Sequence, residues 1–301
     1  MELGIIMKKL FIIGALALCV VSCRDASEDQ PIPPGVENQE GSVRLNTRVE
    51  GEASVVNVNA GLYMVNYVDG KQDDLLAADN YVNNQLLVYA DNAWNTSKPI
   101  YWMDADTPAD FYAYAPYVEK IGDARAMQFS VQTNQTSDEA VAKSDFLWGK
   151  LQGQSPTESS FDLTLSHVLS QLTVKVTVSE DFAESIKAED VSVTIGGTKT
   201  SALIDLATRE IAPEGEAGEV RCHDNGDLSY TAILIPQQVP FSNLVQIVWN
   251  GSPYVLQYAF KLEPKRQYTL TVKLKKTEGG FDVGIDGWDI ISEDFGGTVG
   301  G

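Results

Sequence analysis

Short runs of alternating apolar and polar residues fill this chain from Ser42 onward and constrain its fold more than any other feature. In the first run Val43, Leu45 and Val49 alternate with polar side chains. An alternation of period two is typical of a strand with one buried face. Further runs follow at 61–68, 85–89, 99–103, 110–117, 127–132, 172–178, 191–195, 233–235, 244–249, 254–260, 268–274 and 281–285. Short strands at close spacing predict an all-β fold class built from antiparallel β-sandwiches.

Turn-forming dipeptides separate these runs. Asp69-Gly70, Asp79-Asn80 and Asp91-Asn92 each fall between predicted strands, and such residues tolerate the backbone conformations of tight turns. Only Asp181–Ala188 suggests a helix, of about two turns at most. The chain is therefore predicted to contain little helix.

A change in the phase of the alternation indicates a joint in the chain. Phe161, Leu163, Leu165 and His167 share one face at odd numbers, whereas the apolar residues of the run 172–178 stand at even numbers. A strand cannot change faces without a bulge or a break, so residues 168–171 should bend or pass from one sheet to another. We predict two β-sandwich domains, N-terminal over 42–160 and C-terminal over 161–301.

The N-terminus has the pattern of a bacterial lipoprotein signal peptide. Lys8 and Lys9 precede the apolar run Leu10–Val21, which is too short for a stable transmembrane helix, and Ser22-Cys23 completes a lipobox. The Cys23 thiol would accept diacylglycerol. We predict a signal peptide over 1–22 and lipidation at Cys23; an ordinary secretory signal with an incidental cysteine is the alternative.

A flexible tether is predicted over 23–41, because this segment is polar and contains prolines. The lipid on Cys23 would hold the protein in the outer membrane, with the folded part at the cell surface. Acidic residues shortly after Cys23 agree with surface export.

Charge and cysteine content exclude several classes of function. The formal net charge of −20 repels nucleic acid, so no nucleic-acid partner is expected. Of the 3 cysteines, Cys19 leaves with the signal peptide and Cys23 carries lipid, so Cys222 has no partner for an intramolecular disulfide. With only 2 histidines and no zinc-type spacing, we expect neither a metal site nor a cofactor.

Six fragments together resemble the fimbrillin family, the subunits of type V pili of Bacteroidales. The fragments are Pro99-Ile100-Tyr101-Trp102, 110–117 (DFYAYAPY), 144–148 (SDFLW), 165–172 (LSHVLSQL), Ile235-Pro236-Gln237 and Ile285-Asp286-Gly287-Trp288. Trp102, Tyr114, His167 and Trp288 are the structural residues of these motifs. The resemblance implies two tandem transthyretin-like β-sandwich domains in a fimbrial subunit without catalytic activity.

The resemblance also implies how the subunit would assemble. In that family an arginine-specific protease removes the N-terminal segment with the first strand, and a donor strand of a neighbouring subunit fills the vacated groove. Arg48, and after it Arg44, are the candidate cleavage sites, although both could be solvated arginines on an uncut strand. The partners would be other fimbrial subunits and a host protein or glycan. The glycine-rich segment 289–301 has few apolar anchors, which favours a tip or accessory role over a shaft role.

Two other functions stay open on the residues alone. Trp102, Tyr112, Tyr114 and Tyr117 would form either a packed core or a platform for stacking sugars, and the platform would indicate a monomeric glycan-binding lipoprotein. A pair of carboxylates in a cleft would indicate a hydrolase, either a glycosidase or a peptidase.

One histidine and two acidic clusters are further candidates for chemistry. His167 shares a face with apolar residues, so we expect it to be buried and structural rather than catalytic. Two acidic clusters, Asp104 with Asp106 and Asp110, and Asp224 with Asp227, lack the spacing of a calcium hand.

Overall fold

The computed structural model describes residues 41–50, 58–91, 93–96, 98–179, 186–276 and 283–294, with the backbone alone described at 276, 283–290 and 292–294. The predicted signal peptide, Cys23 and nearly all of the predicted tether lie outside the described residues, as do Asp181–Ser185 of the predicted helix. Among the described residues, no helix is long and apolar enough to cross a membrane.

Strands dominate the structure, which confirms the predicted all-β fold class. In the described part of the chain, one α-helix, α1 (Asp138–Ser144), and a short 3-10 helix (Ala188–Asp190) accompany them. The strands are β1 (Arg44–Val49), β2 (Ala60–Asn66), β3 (Val82–Ala90), β4 (Ala93–Thr96), β5 (Ala109–Ala115), β6 (Met127–Ser130), β7 (Leu147–Gln154), β8 (Ser160–His167), β9 (Ser170–Val178), β10 (Val191–Ile204), β11 (Ile211–Arg221), β12 (His223–Asp224), β13 (Ser229–Leu234), β14 (Gln237–Trp249), β15 (Ser252–Leu262), β16 (Arg266–Lys276) and β17 (Val283–Asp294).

The described strands form three sheets. The first runs β1-β8-β7-β5-β2-β3-β4, the second runs β11-β10-β14-β15 with β6 also paired to β10, and the third runs β12-β13-β9-β16-β17. Most neighbouring strands are antiparallel, as predicted. Two pairs, β1 with β8 and β9 with β16, are parallel instead, because their strands are distant in sequence and no tight turn fixes their direction.

The chain passes from the first sheet to the third at the predicted place. β8 ends at His167 in the first sheet, and β9 begins at Ser170 in the third. The change of phase in the sequence therefore marks a change of sheet. The division into transthyretin-like domains near residue 160 stays a prediction.

The first residue of each predicted turn dipeptide has a positive φ. Asp69, Asp79 and Asp91 have φ of 51°, 64° and 53°, and Gly70 has φ of 71°. These values lie in the left-handed region that Gly, Asp and Asn tolerate best.

The helix α1 was not predicted, so the expectation that only Asp181–Ala188 suggests a helix is wrong. Ser137 caps α1 by accepting a hydrogen bond from the backbone nitrogen of Ala140 at 3.2 Å. Acidic residues in its first turn and Lys143 in its last turn suit the helix dipole. Seven residues span too few turns to show a helical apolar period, which is why the pattern concealed it.

Two clusters of buried side chains hold the sheets together. The first cluster joins Tyr63, Tyr112 and Tyr114 to the inward faces of β9, β10, β13, β14 and β16. The second cluster fills the space beneath the first sheet and contains Val43, Leu62, Leu87, Trp94, Ile100, Trp102, Phe111, Leu147, Leu163 and Leu165. The first strand, β1, packs on this second cluster.

Candidate assembly site

The strand β1 lies at an edge of the first sheet with its odd-numbered residues turned inward. Val43, just before the strand, and Thr47 are buried, while Leu45 and Val49 are half-buried. Arg44, Asn46 and Arg48 are exposed on the opposite face. The period-two alternation thus gives β1 one apolar face over the second cluster and one polar face in solvent.

Backbone pairing holds β1 on one side. The strand runs parallel to β8 from Arg44 opposite Ser160 to Val49 opposite Leu165. Just before it, the backbone nitrogen of Val43 donates to the carbonyl of Ile100 at 2.8 Å. Among the described residues, this short segment and one long ladder supply the backbone hydrogen bonds of β1.

The side chain of Thr47 ties β1 to β4, the other edge strand of the same sheet. Its hydroxyl accepts a hydrogen bond from the backbone nitrogen of Trp94 at 2.7 Å and donates one to the carbonyl of Trp94 at 3.0 Å. Both contacts are buried. The Thr47 hydroxyl, on the apolar face of β1, therefore connects the two edges of the first sheet, between which the described residues form no ladder.

Arg44 and Arg48, the candidate cleavage residues, lie on the solvent face of β1. The Arg48 Nε atom donates to the Thr164 hydroxyl on β8 at 2.9 Å. Asn46, between them, donates to the Ser160 hydroxyl at 2.9 Å. Both arginine side chains are thus presented outward, while the peptide bonds that follow them belong to the paired strand.

The aromatic motif residues are buried rather than displayed. Trp102 packs edge-on against Phe111 and Phe161, with ring centroids 5.7 and 5.8 Å away. The hydroxyl of Tyr114 donates to the Asn84 side chain at 2.7 Å, and its ring lies over Gly61, where an added Cβ would come within 2.2 Å of it.

Tyr112 is also buried and Tyr117 is half-buried, so these aromatics form core rather than a sugar platform. The backbone of Trp288 pairs with Val272, and its side chain lies outside the described part of the structure.

His167 ends β8 with its side chain 3% exposed. Its Nδ1 atom lies 2.7 Å from the Asp145 carboxylate, and Asp145 is itself 1% exposed. The backbone N–H of Asp145 caps the C-terminus of α1 by donating to the carbonyl of Val141. The next residue, Val168, donates its backbone nitrogen to the carbonyl of Phe146 at 3.1 Å. This buried pair fastens the start of β7 to the point where the chain changes sheets.

Asp104 and Asp224, one from each acidic cluster, accept hydrogen bonds from neighbouring groups of the protein. Asp104 accepts hydrogen bonds from the Thr107 hydroxyl and backbone nitrogen, both at 2.6 Å, and these bonds lower the pKa of its carboxyl group. Asp224 accepts from the backbone nitrogen of Gly226 at 2.9 Å, which shapes a turn. Among the described residues, no group of three His, Cys, Asp or Glu side chains could hold a metal ion.

Asp110 is the buried member of the first acidic cluster. It accepts hydrogen bonds from the Gln72 side chain at 2.8 Å and the Gly153 backbone nitrogen at 2.7 Å. The Lys150 ammonium lies 3.6 Å away. This carboxylate is therefore satisfied by the protein itself and joins β5 to β7.

Burial of the Cys222 thiol can be tested by its rate of alkylation at alkaline pH. The thiol is buried, and desolvation raises its pKa to about 12. We expect native Cys222 to resist alkylation near pH 8.5, roughly the ordinary pKa of a thiol, and to react once the chain is unfolded. The unfolded chain loses this proton first, so the contribution to stability falls as pH rises from about 8.5 towards 12. Mass spectrometry of the Cys222 peptide measures the labelling; rapid labelling of the native protein would contradict this burial.

Sequence reasoning did not single out Thr47, Asp145 or Asp110 as structural groups. For Thr47 a signal was present, since a polar residue at an inward-facing position of a strand needs a buried partner. Asp145 and Asp110 find their partners through tertiary contacts that the linear pattern does not contain.

Comparison with known proteins connects this arrangement to a family. A family model described as fimbrillin-like matches residues 47–288. Among curated protein sequences, none matches the chain.

Solved structures share the fold. A proposed cell adhesion protein of Bacteroides uniformis ATCC 8492 is 20% identical, with a TM-score of 0.62 over 85% of this chain and 100% of that chain. Another, of Bacteroides ovatus ATCC 8483, is 14% identical, with a TM-score of 0.65 over 86% and 99%. A fimbrial protein of Bacteroides vulgatus ATCC 8482 is 13% identical, with a TM-score of 0.52 over 85% and 99%. Because the family match extends from β1 to β17, the chain belongs to the fimbrillin-like family.

Proposed function

We propose that this protein is a structural or adhesive subunit of a cell-surface fimbria, in a tip or accessory position, that assembles by strand exchange after proteolytic removal of its N-terminal segment. The observation that carries the proposal is the position of β1. It is an edge strand with an apolar inner face, two exposed arginines and one ladder partner among the described strands.

Removal of β1 would create a site for another chain without further chemistry. A cut after Arg48 releases Val43 and Thr47, which uncovers backbone groups of β8 and leaves the backbone of Trp94 without its hydroxyl partner. Unpaired strand edges beside apolar surface are the condition for addition of a strand. A donor strand of a neighbouring subunit would pair with this strand edge and cover the apolar surface.

The tip or accessory position rests on residues 289–301. They place few apolar side chains at alternate positions, so this segment is a poor match for the inner face of β1. Residues up to Asp294 are, in addition, already paired with β16. The donor strand would therefore come from a fimbrial subunit with a different sequence.

Aromatic burial weighs against the alternative, a monomeric glycan-binding lipoprotein. The rings of Trp102, Tyr112 and Tyr114 are buried and cannot stack on a sugar in this conformation. We propose no catalytic role for the chain.

Digestion with an arginine-specific protease tests the proposal. We expect cleavage after Arg48 or Arg44 and, on native gels with the chain alone or with other fimbrial subunits, conversion to assemblies larger than those of the uncut chain. A variant with Arg44→Lys and Arg48→Lys keeps the charge but removes the cleavage sites, so its assembly state should not change on digestion. A chain that is cut and forms no larger assembly with any partner would contradict strand exchange.

Anchoring of the subunit in the outer membrane would depend on Cys23. We expect Cys23→Ala to abolish lipid attachment, because neither Cys19 nor Cys222 stands at the end of a lipobox. Metabolic labelling with a radioactive fatty acid measures the attachment, with Cys222→Ala as the matched control that keeps its label. Undiminished label in Cys23→Ala would refute lipidation at this residue.

A further inference from the structure

We propose that β15 is the pairing edge of a two-fold symmetric dimer, in which a second copy of this chain adds its own β15 antiparallel to the first. The second sheet would then continue from one copy into the other. This inference concerns a different edge from β1 and does not depend on strand exchange.

The strand β15 is long and regular, and no described strand pairs with it on the side away from β14, although β17 of the third sheet lies close to it. In the described structure its only ladder partner is β14, so it ends the second sheet. Irregularities occur in that ladder between Val239 and Ser242 and between Asn243 and Val245, and the extra residues lie on β14. The alternation of β15 is therefore unbroken over Ser252–Leu262.

Absence of charge distinguishes this edge from the opposite edge of the same sheet. From Leu228 to Phe260 the sequence contains no charged residue, in a chain of net charge −20. The opposite edge strand of the same sheet, β11, carries Glu214, Glu216 and Glu219, the kind of charge that blocks edge-to-edge pairing. The exposed apolar side chains Phe241, 70% exposed, and Val255, 39% exposed, lie on this uncharged hairpin.

The hairpin turn sets which backbone groups of β15 are free. Asn250 and Gly251, with φ of 48° and 77°, form a two-residue turn, so Trp249 and Ser252 beside it make the first hydrogen-bonded pair. Hydrogen-bonded and non-hydrogen-bonded pairs then alternate. Odd-numbered residues of β15 point their backbone groups away from β14, and Pro253, which has no N–H to leave unpaired, occupies one of these positions.

If the β15 strands of two copies pair antiparallel with Gln257 opposite Gln257, the side chains that face each other are complementary. It would set Val255 opposite Ala259 on the outer face, both exposed in the monomer. On the inner face Tyr254 would stand opposite Phe260 and Leu256 opposite Tyr258. Aromatic pairs and aromatic–aliphatic pairs are favourable cross-strand neighbours. Tyr254, Tyr258 and Phe260 are only partly buried in one copy and would be covered by the other.

The charged side chain on β15 does not prevent a second copy from pairing at this edge. The lone charged side chain on β15, Lys261, would stand opposite Pro253 rather than opposite its own copy, and it is bonded to Glu263 at 2.8 Å. What still opposes dimerisation is the long-range electrostatic repulsion between two acidic molecules. Salt screens this repulsion. The dimer should therefore tighten as the salt concentration rises.

Sedimentation equilibrium of the uncleaved chain, at low and high sodium chloride, measures the dimer. Gln257→Lys places two like charges against each other on the two-fold axis and should weaken dimerisation at least ~tenfold. Ala217→Lys is the matched control, since it adds the same charge to an exposed position of β11 on the opposite edge. It should dimerise like the unmodified chain.

Circular dichroism and thermal melting show whether both variants are folded. A folded Gln257→Lys variant that dimerises as tightly as Ala217→Lys would overturn the proposal, and so would an unmodified chain that stays monomeric at high salt. If Gln257→Lys fails to fold, Val255→Lys at another exposed position of the same edge replaces it, with the same expected loss.

Discussion

Replacement of His167 by alanine is expected to lower the free energy of unfolding by about 1–3 kcal/mol. The substitution leaves the Asp145 carboxylate, 2.7 Å from Nδ1 in the native protein and 1% exposed, without its imidazole partner. A buried polar group that loses its partner keeps its desolvation cost, so the loss exceeds that of a surface pair. Urea unfolding followed by tryptophan fluorescence measures the difference.

The second histidine supplies a matched control. The Nε2 atom of His223 lies 3.3 Å from an oxygen of Asp138, whose side chain is 98% exposed. Because surface ion pairs contribute little, His223→Ala should cost at most about 1 kcal/mol. A further variant, His167→Ala with Asp145→Ala, should lose less than the sum of the two single losses. Equal losses in His167→Ala and His223→Ala would contradict a structural role for the buried pair.

Loss of β1 is the second large effect that we expect. Val43 is buried, which contributes about 1.5–3 kcal/mol, and the Thr47 hydroxyl satisfies two buried backbone groups of Trp94, which contributes about 1–3 kcal/mol. Together these contacts are a large share of the roughly 5–15 kcal/mol that stabilises a typical domain. The cut chain should melt at a clearly lower temperature unless a strand refills the site.

Thermal melting before and after arginine-specific digestion checks this expectation. The variant with Arg44→Lys and Arg48→Lys controls for effects of the protease treatment, because its β1 stays attached. Thr47→Val in the uncut chain isolates the hydroxyl, with an expected loss of about 1–3 kcal/mol. An unchanged melting temperature after removal of β1 would show that the strand contributes nothing to the fold.

Alternation alone predicted much of the sheet structure. The odd-numbered face of β8 and the even-numbered face of β9 are both buried, and the change of sheet falls where their phases conflict. Period two is visible in such strands because one face packs on the core and the other meets solvent. The same pattern placed Val43, Leu45 and Val49 on the inner face of β1.

Strands without that pattern were missed. β11, with the sequence IAPEGEAGEVR, contains glycines, a proline and three glutamates, so its local propensity opposes a strand. Its pairing with β10 imposes the conformation. The run 99–103 shows the opposite error, since it contributes only a bridge between Tyr101 and Ser42 rather than a strand.

Only part of the candidate site could be predicted from the sequence. The two arginines and the apolar face of β1 follow from the printed residues, but its parallel pairing with β8 and the contact of Thr47 with Trp94 join residues far apart in the chain. No tight turn or local pattern encodes such contacts. The same holds for the pair of His167 and Asp145.

The central claim is that the groove beneath β1 is the assembly site, and refilling that groove tests it most directly. Cleaved protein would be mixed with a peptide of residues 42–50, or with a control peptide of the same composition whose apolar residues are moved by one position to the other face. The account predicts that the native peptide restores the melting temperature and blocks assembly on native gels, while the control peptide does neither. Assembly that proceeds unchanged in the presence of bound native peptide would contradict it.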